Sequence, residues 1–84
     1  MIPKIKSVST LDNYQLHVIF DDTKEVIYDV TADIETLPNY HLLKNQKDLF
    51  SQVQLDASRT CVFWTNEIDL PSDTIYEYGK TLGK

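Results

Sequence analysis

The chain has 84 residues and a formal net charge of −5, with 42% hydrophobic and 25% charged residues. A chain this short has little apolar surface beyond its core, so a cavity of about 300 Å³ or more is not expected. The eight Lys and Arg residues are scattered along the chain, which argues against autonomous binding to nucleic acid or to an anionic membrane. The acidity favours, at most, a basic protein partner.

The first half of the chain predicts three strands. Residues 5–11 are rich in β-branched side chains, and their imperfect alternation indicates a β-bulge. Residues 14–20 alternate most clearly, with Tyr14, Leu16, Val18 and Phe20 on one face. Alternation resumes at residues 25–30 after the polar stretch 21–24, which predicts a β-hairpin.

The middle of the chain predicts short helical pieces followed by two strands. Residues 31–38 indicate a connection with about one helical turn, and residues 40–44 and 48–51 indicate short helices, the second with Asp48 as its N-cap. Residues 52–56 predict a fourth strand. The dense apolar run at residues 60–64 predicts a central fifth strand.

A helix is predicted at the C-terminal end of the chain. Pro71 suits its first position, and Ile75, Tyr78 and Leu82 form an apolar stripe that would pack on the sheet. Gly79 marks the helix end or a weak spot in it. The whole prediction is a single α+β domain over residues 1–84. It has an antiparallel sheet of about five strands (β-β-β-α-β-β-α) and a C-terminal helix packed on one face.

The location follows from the cysteine content and the N-terminal residues. Cys61 is the only cysteine, so no internal disulfide can form, and a small domain without one fits a reducing compartment. Residues 1–6 have neither the apolar core nor the cleavage site of a signal peptide. The longest apolar run, residues 61–64, is too short to span a membrane. We therefore predict a cytoplasmic protein.

No residue pattern identifies catalytic chemistry, a metal site or a cofactor. His17 and His41 lie outside any metal-ligand spacing, and His17 is predicted to be a solvated surface residue. Cys61 is predicted to pack in the core rather than to act as a reactive thiolate. Carboxylates are plentiful, but nothing in the sequence separates a working acid pair from a solvated surface.

The candidate interaction site is the segment that joins the fifth strand to the last helix. It contains Trp64, Asn66, Glu67 and Asp69. In a structural interpretation Trp64 anchors the strand end, Asn66 forms a turn and Asp69 bonds amides at the helix start. In a functional interpretation the four residues form a recognition patch. The structural interpretation is favoured because turn and capping chemistry explains every residue.

Several segments resemble the bacterial domain-of-unknown-function family 2442. They are Phe20-Asp21-Asp22, Asp29-Val30, Leu49-Phe50 followed by Val53 and Asp56, and Trp64 with Asn66, Asp69-Leu70 and Tyr76-Glu77. The resemblance runs over about residues 5–77, and the tryptophan–asparagine–aspartate–leucine segment is its most specific part. The family commonly has glycine in the first hairpin turn and after the asparagine, where this chain has Lys24 and Glu67.

The resemblance implies a similar α+β plan, with no settled activity, cofactor or catalytic residues. Genes of the family often lie beside another small uncharacterised gene, in arrangements that look like toxin–antitoxin pairs. Some members carry an added helix-turn-helix domain. This chain ends at Lys84 without one, so DNA binding is not carried over.

Three functions are therefore considered. The leading one is a small cytoplasmic interaction module, the acidic partner of a basic protein encoded by the adjacent gene, which binds through a sheet edge or the Trp64–Asp69 segment. The alternative is a small-molecule-binding protein or a carboxylate-based enzyme, which needs a concave site where two carboxylates converge. The third is a homodimer formed through exposed tyrosines.

Overall fold

The computed structural model describes residues 2–46, 48–65 and 67–82. The first three strands are β1 (Ile5–Leu11), β2 (Gln15–Phe20) and β3 (Glu25–Asp29). They are followed by helix α1 (Thr31–Thr36), a 3₁₀ turn (Pro38–His41), helix α2 (Leu42–Asn45) and a second 3₁₀ turn (Phe50–Gln52). The chain continues through β4 (Gln54–Leu55), β5 (Cys61–Thr65), β6 (Ile68–Pro71), helix α3 (Ser72–Tyr78) and β7 (Lys80–Thr81).

The strands of the described residues form two antiparallel sheets, in the orders β1-β2-β3-β7 and β4-β5-β6. The α+β class, the antiparallel pairing and the C-terminal helix are confirmed. The predicted strands are divided between two sheets because β5 pairs with β4 on one side and with β6 on the other, rather than with the first hairpin. Local alternation shows which residues face inward, but it does not show which strands pair.

The predicted bulge and hairpin are present. The register of β1 against β2 shifts between Ile5 and Ser7, which places the bulge near the start of β1. In the β2–β3 turn the Phe20 N–H donates to the Lys24 carbonyl and the Thr23 N–H donates to the Phe20 carbonyl, both at 2.9 Å. The Ile5 N–H donates to the Arg59 carbonyl at 2.7 Å, which ties β1 to the loop before β5.

One hydrophobic core lies between the two sheets and is closed by α3. Its buried members are Ile5, Leu16, Val18, Phe20, Val26, Tyr28, Val30, Ile34, Tyr40, Leu43, Val62, Trp64, Ile68, Leu70 and Ile75. The alternation predicted for β2 and β3 is confirmed, because Leu16, Val18 and Phe20 are buried together with residues of β3. None of the described helices is long and apolar enough to cross a membrane.

Helix α3 differs from the prediction at both ends. Pro71 belongs to β6 with extended backbone angles (φ −71°, ψ 149°), and the helix begins one residue later. Of the predicted stripe only Ile75 is buried, whereas Tyr78 is 77% exposed. The helix stops before Leu82 because residues 80–81 pair with Val26 and Ile27 of β3.

Gly79 ends α3, as one of the two interpretations of this glycine predicted. Its N–H donates to the Ile75 carbonyl at 2.9 Å. A Cβ at this position would lie 2.6 Å from the Ile75 carbonyl oxygen and 3.1 Å from the Val26 Cβ. The glycine is therefore required by the close approach of the helix end to β3.

Three local predictions need correction or comment. Cys61 is half-buried on the outer face of β5, because the buried residues of that strand are Val62 and Trp64. Asp48 makes no side-chain cap bond to the second 3₁₀ turn, and its carbonyl instead accepts from the Ser51 hydroxyl at 2.9 Å. His17 is half-exposed, as expected of a surface residue, and lies 3.0 Å from a Glu25 carboxylate oxygen across the hairpin.

Candidate functional site

A groove of about 710 Å³ lies between the N-terminal segment, the β2–β3 turn and α3. It is lined by Ile2, Pro3, Lys4, Phe20, Asp21, Asp22, Asp73, Tyr76 and Glu77, and we call it the acidic groove. The expectation that this chain would form no cavity above about 300 Å³ is wrong. The groove lies at the surface where three elements meet, so it takes no volume from the core.

The N-terminal wall of the acidic groove is held by two hydrogen bonds to its backbone carbonyls. The Asp21 N–H donates to the Lys4 carbonyl at 2.9 Å, which fixes this segment to the β2–β3 turn. The hydroxyl of fully buried Ser72 donates to the Pro3 carbonyl at 2.6 Å, which fixes the segment to α3. Both walls of the groove are therefore positioned by the fold.

The floor of the acidic groove is apolar and aromatic. The rings of Phe20 and Tyr76 meet edge to face, with centroids 4.8 Å apart and an interplanar angle of 80°. The Lys24 Nζ lies 3.9 Å from the centroid of the Tyr76 ring and donates to the Tyr76 carbonyl at 3.1 Å. Ile2 is 59% exposed beside this floor, so an apolar surface is open to solvent.

Two carboxylates of the acidic groove have partners within the chain. Asp21 is paired with Arg59 at 2.8 Å. Asp22 accepts from the Tyr76 hydroxyl at 2.6 Å and from the Lys24 N–H at 2.9 Å. The Tyr76 hydrogen bond, followed by the Lys24 N–H, lowers the pKa of Asp22 below its ordinary value of 3.8. Asp22 is therefore an anion at neutral pH.

The other two carboxylates, on Asp73 and Glu77, belong to α3. Residues four apart on a helix lie on the same face, so the two side chains are neighbours at the rim of the groove. An Asp73 carboxylate oxygen accepts from the Thr74 N–H at 2.8 Å. Within residues 2–46, 48–65 and 67–82 the contacts between basic and acidic side chains are His17–Glu25 and Arg59–Asp21, and neither includes these two carboxylates.

The predicted interaction segment lies elsewhere, in the β5–β6 hairpin. Trp64 is 5% exposed, and its Nε1–H donates to the Phe50 carbonyl at 2.9 Å. Glu67 and Asp69 are exposed, so a partner at this segment would meet these two residues rather than Trp64. Asn66 lies outside the described residues. The anchoring role predicted for Trp64 agrees with its burial.

The outer edge of β6 is closed to an added strand. Pro71 has no N–H to donate, and the Tyr40 hydroxyl donates to the Asp69 carbonyl. Burial raises the pKa of Tyr40 to about 12, so this donor keeps its proton at neutral pH. A sheet edge as the docking surface is therefore disfavoured at β6.

A smaller depression of about 280 Å³ lies on the outer face of β5 and β6. It is lined by Asp56, Cys61, Phe63, Thr65 and Asp69. Burial raises the pKa of the Cys61 thiol, which disfavours the thiolate that nucleophilic chemistry requires. Among the residues that the structure describes, no group of three or more His, Cys, Asp or Glu residues could hold a metal ion.

The sequence contains part of the signal for the acidic groove. The adjacent pair Asp21 and Asp22 in a turn is visible, as is the spacing of Asp73 and Glu77 on a helix. What the sequence does not show is that this turn and this helix meet, because they are about fifty residues apart. Tyr76 is singled out only as part of the family resemblance, and Ile2 is not singled out at all.

Comparison with known proteins gives one match. The sequence profile of the family described as "Protein of unknown function (DUF2442)" matches residues 5–81, a range that includes every strand and helix from β1 to β7. Neither the curated proteins nor the solved structures contain a match to the chain.

Proposed function

The chain belongs to the DUF2442 family of proteins of unknown function, and from that premise we propose that it is a small cytoplasmic protein-interaction module. Its partner is a basic protein encoded by the adjacent gene, in an arrangement like a toxin–antitoxin pair. The observation that carries this proposal is the acidic groove, an open apolar floor bordered by four carboxylates and one lysine, Lys4. A net charge of −5 would speed the encounter with a basic partner.

Binding is favoured over catalysis by the state of the groove carboxylates. A general acid at neutral pH needs a raised pKa, whereas the pKa of Asp22 is lowered. Asp21 is already paired with Arg59 at 2.8 Å. Asp22 is therefore poorly suited to transfer a proton at neutral pH.

A small organic cation is the second candidate ligand. The groove volume of about 710 Å³ lies within the range of small-molecule sites, about 300–1,000 Å³. A homodimer through tyrosines has less support. Of the five tyrosines, Tyr78 alone is exposed, and the others are buried or half-buried.

Co-expression with the product of the adjacent gene tests the proposal. We expect a 1:1 complex by size-exclusion chromatography with light scattering at low salt, and weaker binding as ionic strength rises. A chain that elutes alone at low salt would contradict the proposal.

A matched pair of surface variants tests whether the complex forms at the acidic groove. Ile2→Ser removes an apolar side chain that is 59% exposed in the groove and should weaken the complex by about three- to tenfold. Leu37→Ser removes one that is 43% exposed outside the groove and serves as the control. Equal effects of the two substitutions would place the contact elsewhere.

A further inference from the structure

We infer that the acidic groove binds a short peptide segment in which an apolar side chain stands next to Lys or Arg. The apolar side chain lies on the floor formed by Ile2 and by Tyr76, whose ring packs on the buried Phe20 ring, and the cationic side chain is held by Asp73 and Glu77. This inference rests on the proposed function and names the segment of the partner that the groove recognises.

The division of roles among the four carboxylates follows from their existing partners. Asp21 is bound to Arg59 at 2.8 Å. Asp22 is bound to the Tyr76 hydroxyl at 2.6 Å and supports the aromatic floor. A cation from a partner would have to compete with these side-chain contacts. On α3, among the residues described, Asp73 accepts only from the Thr74 backbone N–H at 2.8 Å, so the pair Asp73 and Glu77 is the better acceptor.

The position of Glu77 is electrostatically unfavourable in the free chain. Like charges four residues apart on a helix repel each other, and Asp73 stands four residues before Glu77. The last turn of α3 has no basic residue of its own, but the Lys24 Nζ donates to the Tyr76 carbonyl there at 3.1 Å and offsets the helix dipole. A Lys or Arg side chain from a partner would relieve the repulsion between Asp73 and Glu77.

The apolar floor identifies the second feature of the segment. Ile2 is 59% exposed beside the Phe20–Tyr76 ring pair, so a ligand that offered only charge would leave this surface in water. Lys and Arg side chains pack their methylene stems along apolar surface while the charged end reaches a carboxylate. A neighbouring apolar residue in the segment completes the cover of the floor.

The test titrates the intact chain with a synthetic peptide of alternating arginine and leucine, followed by calorimetry. We expect the arginine–leucine peptide to bind, an arginine–serine peptide to bind more weakly, and a glutamate–leucine peptide not to bind. The double variant Asp73→Asn/Glu77→Gln should lose about tenfold or more in affinity. The control double variant Asp12→Asn/Glu35→Gln has the same net charge, alters exposed residues outside the groove, and should change affinity less than about twofold.

The outcomes separate this inference from the proposed function. If the two double variants weaken peptide binding equally, the chain responds only to net charge and the inference is overturned. If spermidine binds as tightly as the arginine–leucine peptide, the groove recognises a small cation rather than a peptide segment, and the inference is overturned. A complex with the adjacent gene product that survives in Asp73→Asn/Glu77→Gln overturns the inference alone, whereas absence of any complex in the unaltered chain overturns the proposed function.

Folding of the variants is checked by urea denaturation. Removal of the repulsion at Glu77 should leave Glu77→Gln at least as stable as the unaltered chain, so a loss of binding cannot come from unfolding. If Glu77→Gln is at least as stable as the unaltered chain and binds the arginine–leucine peptide more weakly, the inference is supported. If Glu77→Gln keeps full affinity for the peptide, the inference is contradicted.

Discussion

At the scale of single residues, several turn residues of this chain have backbone conformations that residues other than glycine rarely adopt. Positive φ angles occur at Asn13, Tyr14, Thr23, Asp48 and Arg59. Asn tolerates this region, but a β-branched residue does so at a cost. Thr23, with φ of 77° in the β2–β3 turn, is therefore the position where local strain is greatest.

Replacing this threonine tests that strain. Thr23→Gly should raise the free energy of unfolding by about 0.5–1 kcal/mol, because relief of left-handed strain outweighs the greater unfolded-state entropy of glycine. Thr10→Gly in the extended strand β1 has no such strain to relieve and should destabilise the chain. Urea denaturation of both variants provides the measurement. A loss of stability in Thr23→Gly would show that the backbone at Thr23 is not strained.

The contact between Asp22 and Tyr76 makes a second residue-scale prediction, which concerns pH. The lowered pKa of Asp22 means that its contribution to stability is present above the ordinary value of 3.8 and is lost as pH falls through the lowered folded value. Tyr76→Phe removes the hydroxyl that donates to Asp22 at 2.6 Å. The pKa of Asp22 should then rise toward its ordinary value, as measured by NMR titration of its carboxyl carbon. No change in that titration would show that the hydrogen bond does not form.

At the scale of elements, α3 shows how strand pairing overrides a helical pattern. The spacing of Ile75, Tyr78 and Leu82 predicts one stripe, yet the chain leaves the helix after Tyr78 so that residues 80–81 can pair with β3. Gly79 permits this exit because a side chain there would collide with the Ile75 carbonyl. The amphipathic pattern is local, whereas the strand that ends the helix pairs with residues about fifty positions earlier.

Substitutions of Ile75 and Tyr78 test whether α3 packs through the whole predicted stripe or through Ile75 alone. Ile75→Ala should cost about 2–5 kcal/mol, because Ile75 is fully buried between α3 and the sheets. Tyr78→Ser should change stability by less than about 0.5 kcal/mol, because the side chain is 77% exposed. Thermal unfolding of both variants gives the comparison. A large cost at Tyr78 would mean that the helix continues as the stripe predicts.

At the scale of the whole molecule, buried tyrosines link the helical segment to the sheets. The Tyr28 hydroxyl donates to an Asp33 carboxylate oxygen at 2.7 Å, which joins β3 to α1. The Tyr40 hydroxyl donates to the Asp69 carbonyl, which joins the first 3₁₀ turn to β6. Burial is the main cause that raises the pKa of both phenols above their ordinary value of 10.0. Both of these links depend on a phenol that keeps its proton.

This arrangement predicts loss of stability in alkali. A phenol whose pKa is higher in the folded chain contributes fully below the unfolded value of 10.0, and that contribution is lost as pH rises toward the folded value. The free energy of unfolding should therefore fall steadily above pH 10. In Tyr40→Phe the fall should be shallower, because one of these groups no longer ionises. Identical slopes in the two proteins would show that Tyr40 is not held in this way.

Alternation in β2 and β3 determined which side chains enter the core, because burial of one strand face depends on residue order alone. The α+β class, the bulge in β1 and the closing helix followed from similar local signals. Tertiary structure decided the rest, since the division into two sheets and the end of α3 depend on pairing between distant segments. Tertiary structure also decided the acidic groove, because its carboxylates become neighbours only when the N-terminal segment, the β2–β3 turn and α3 meet.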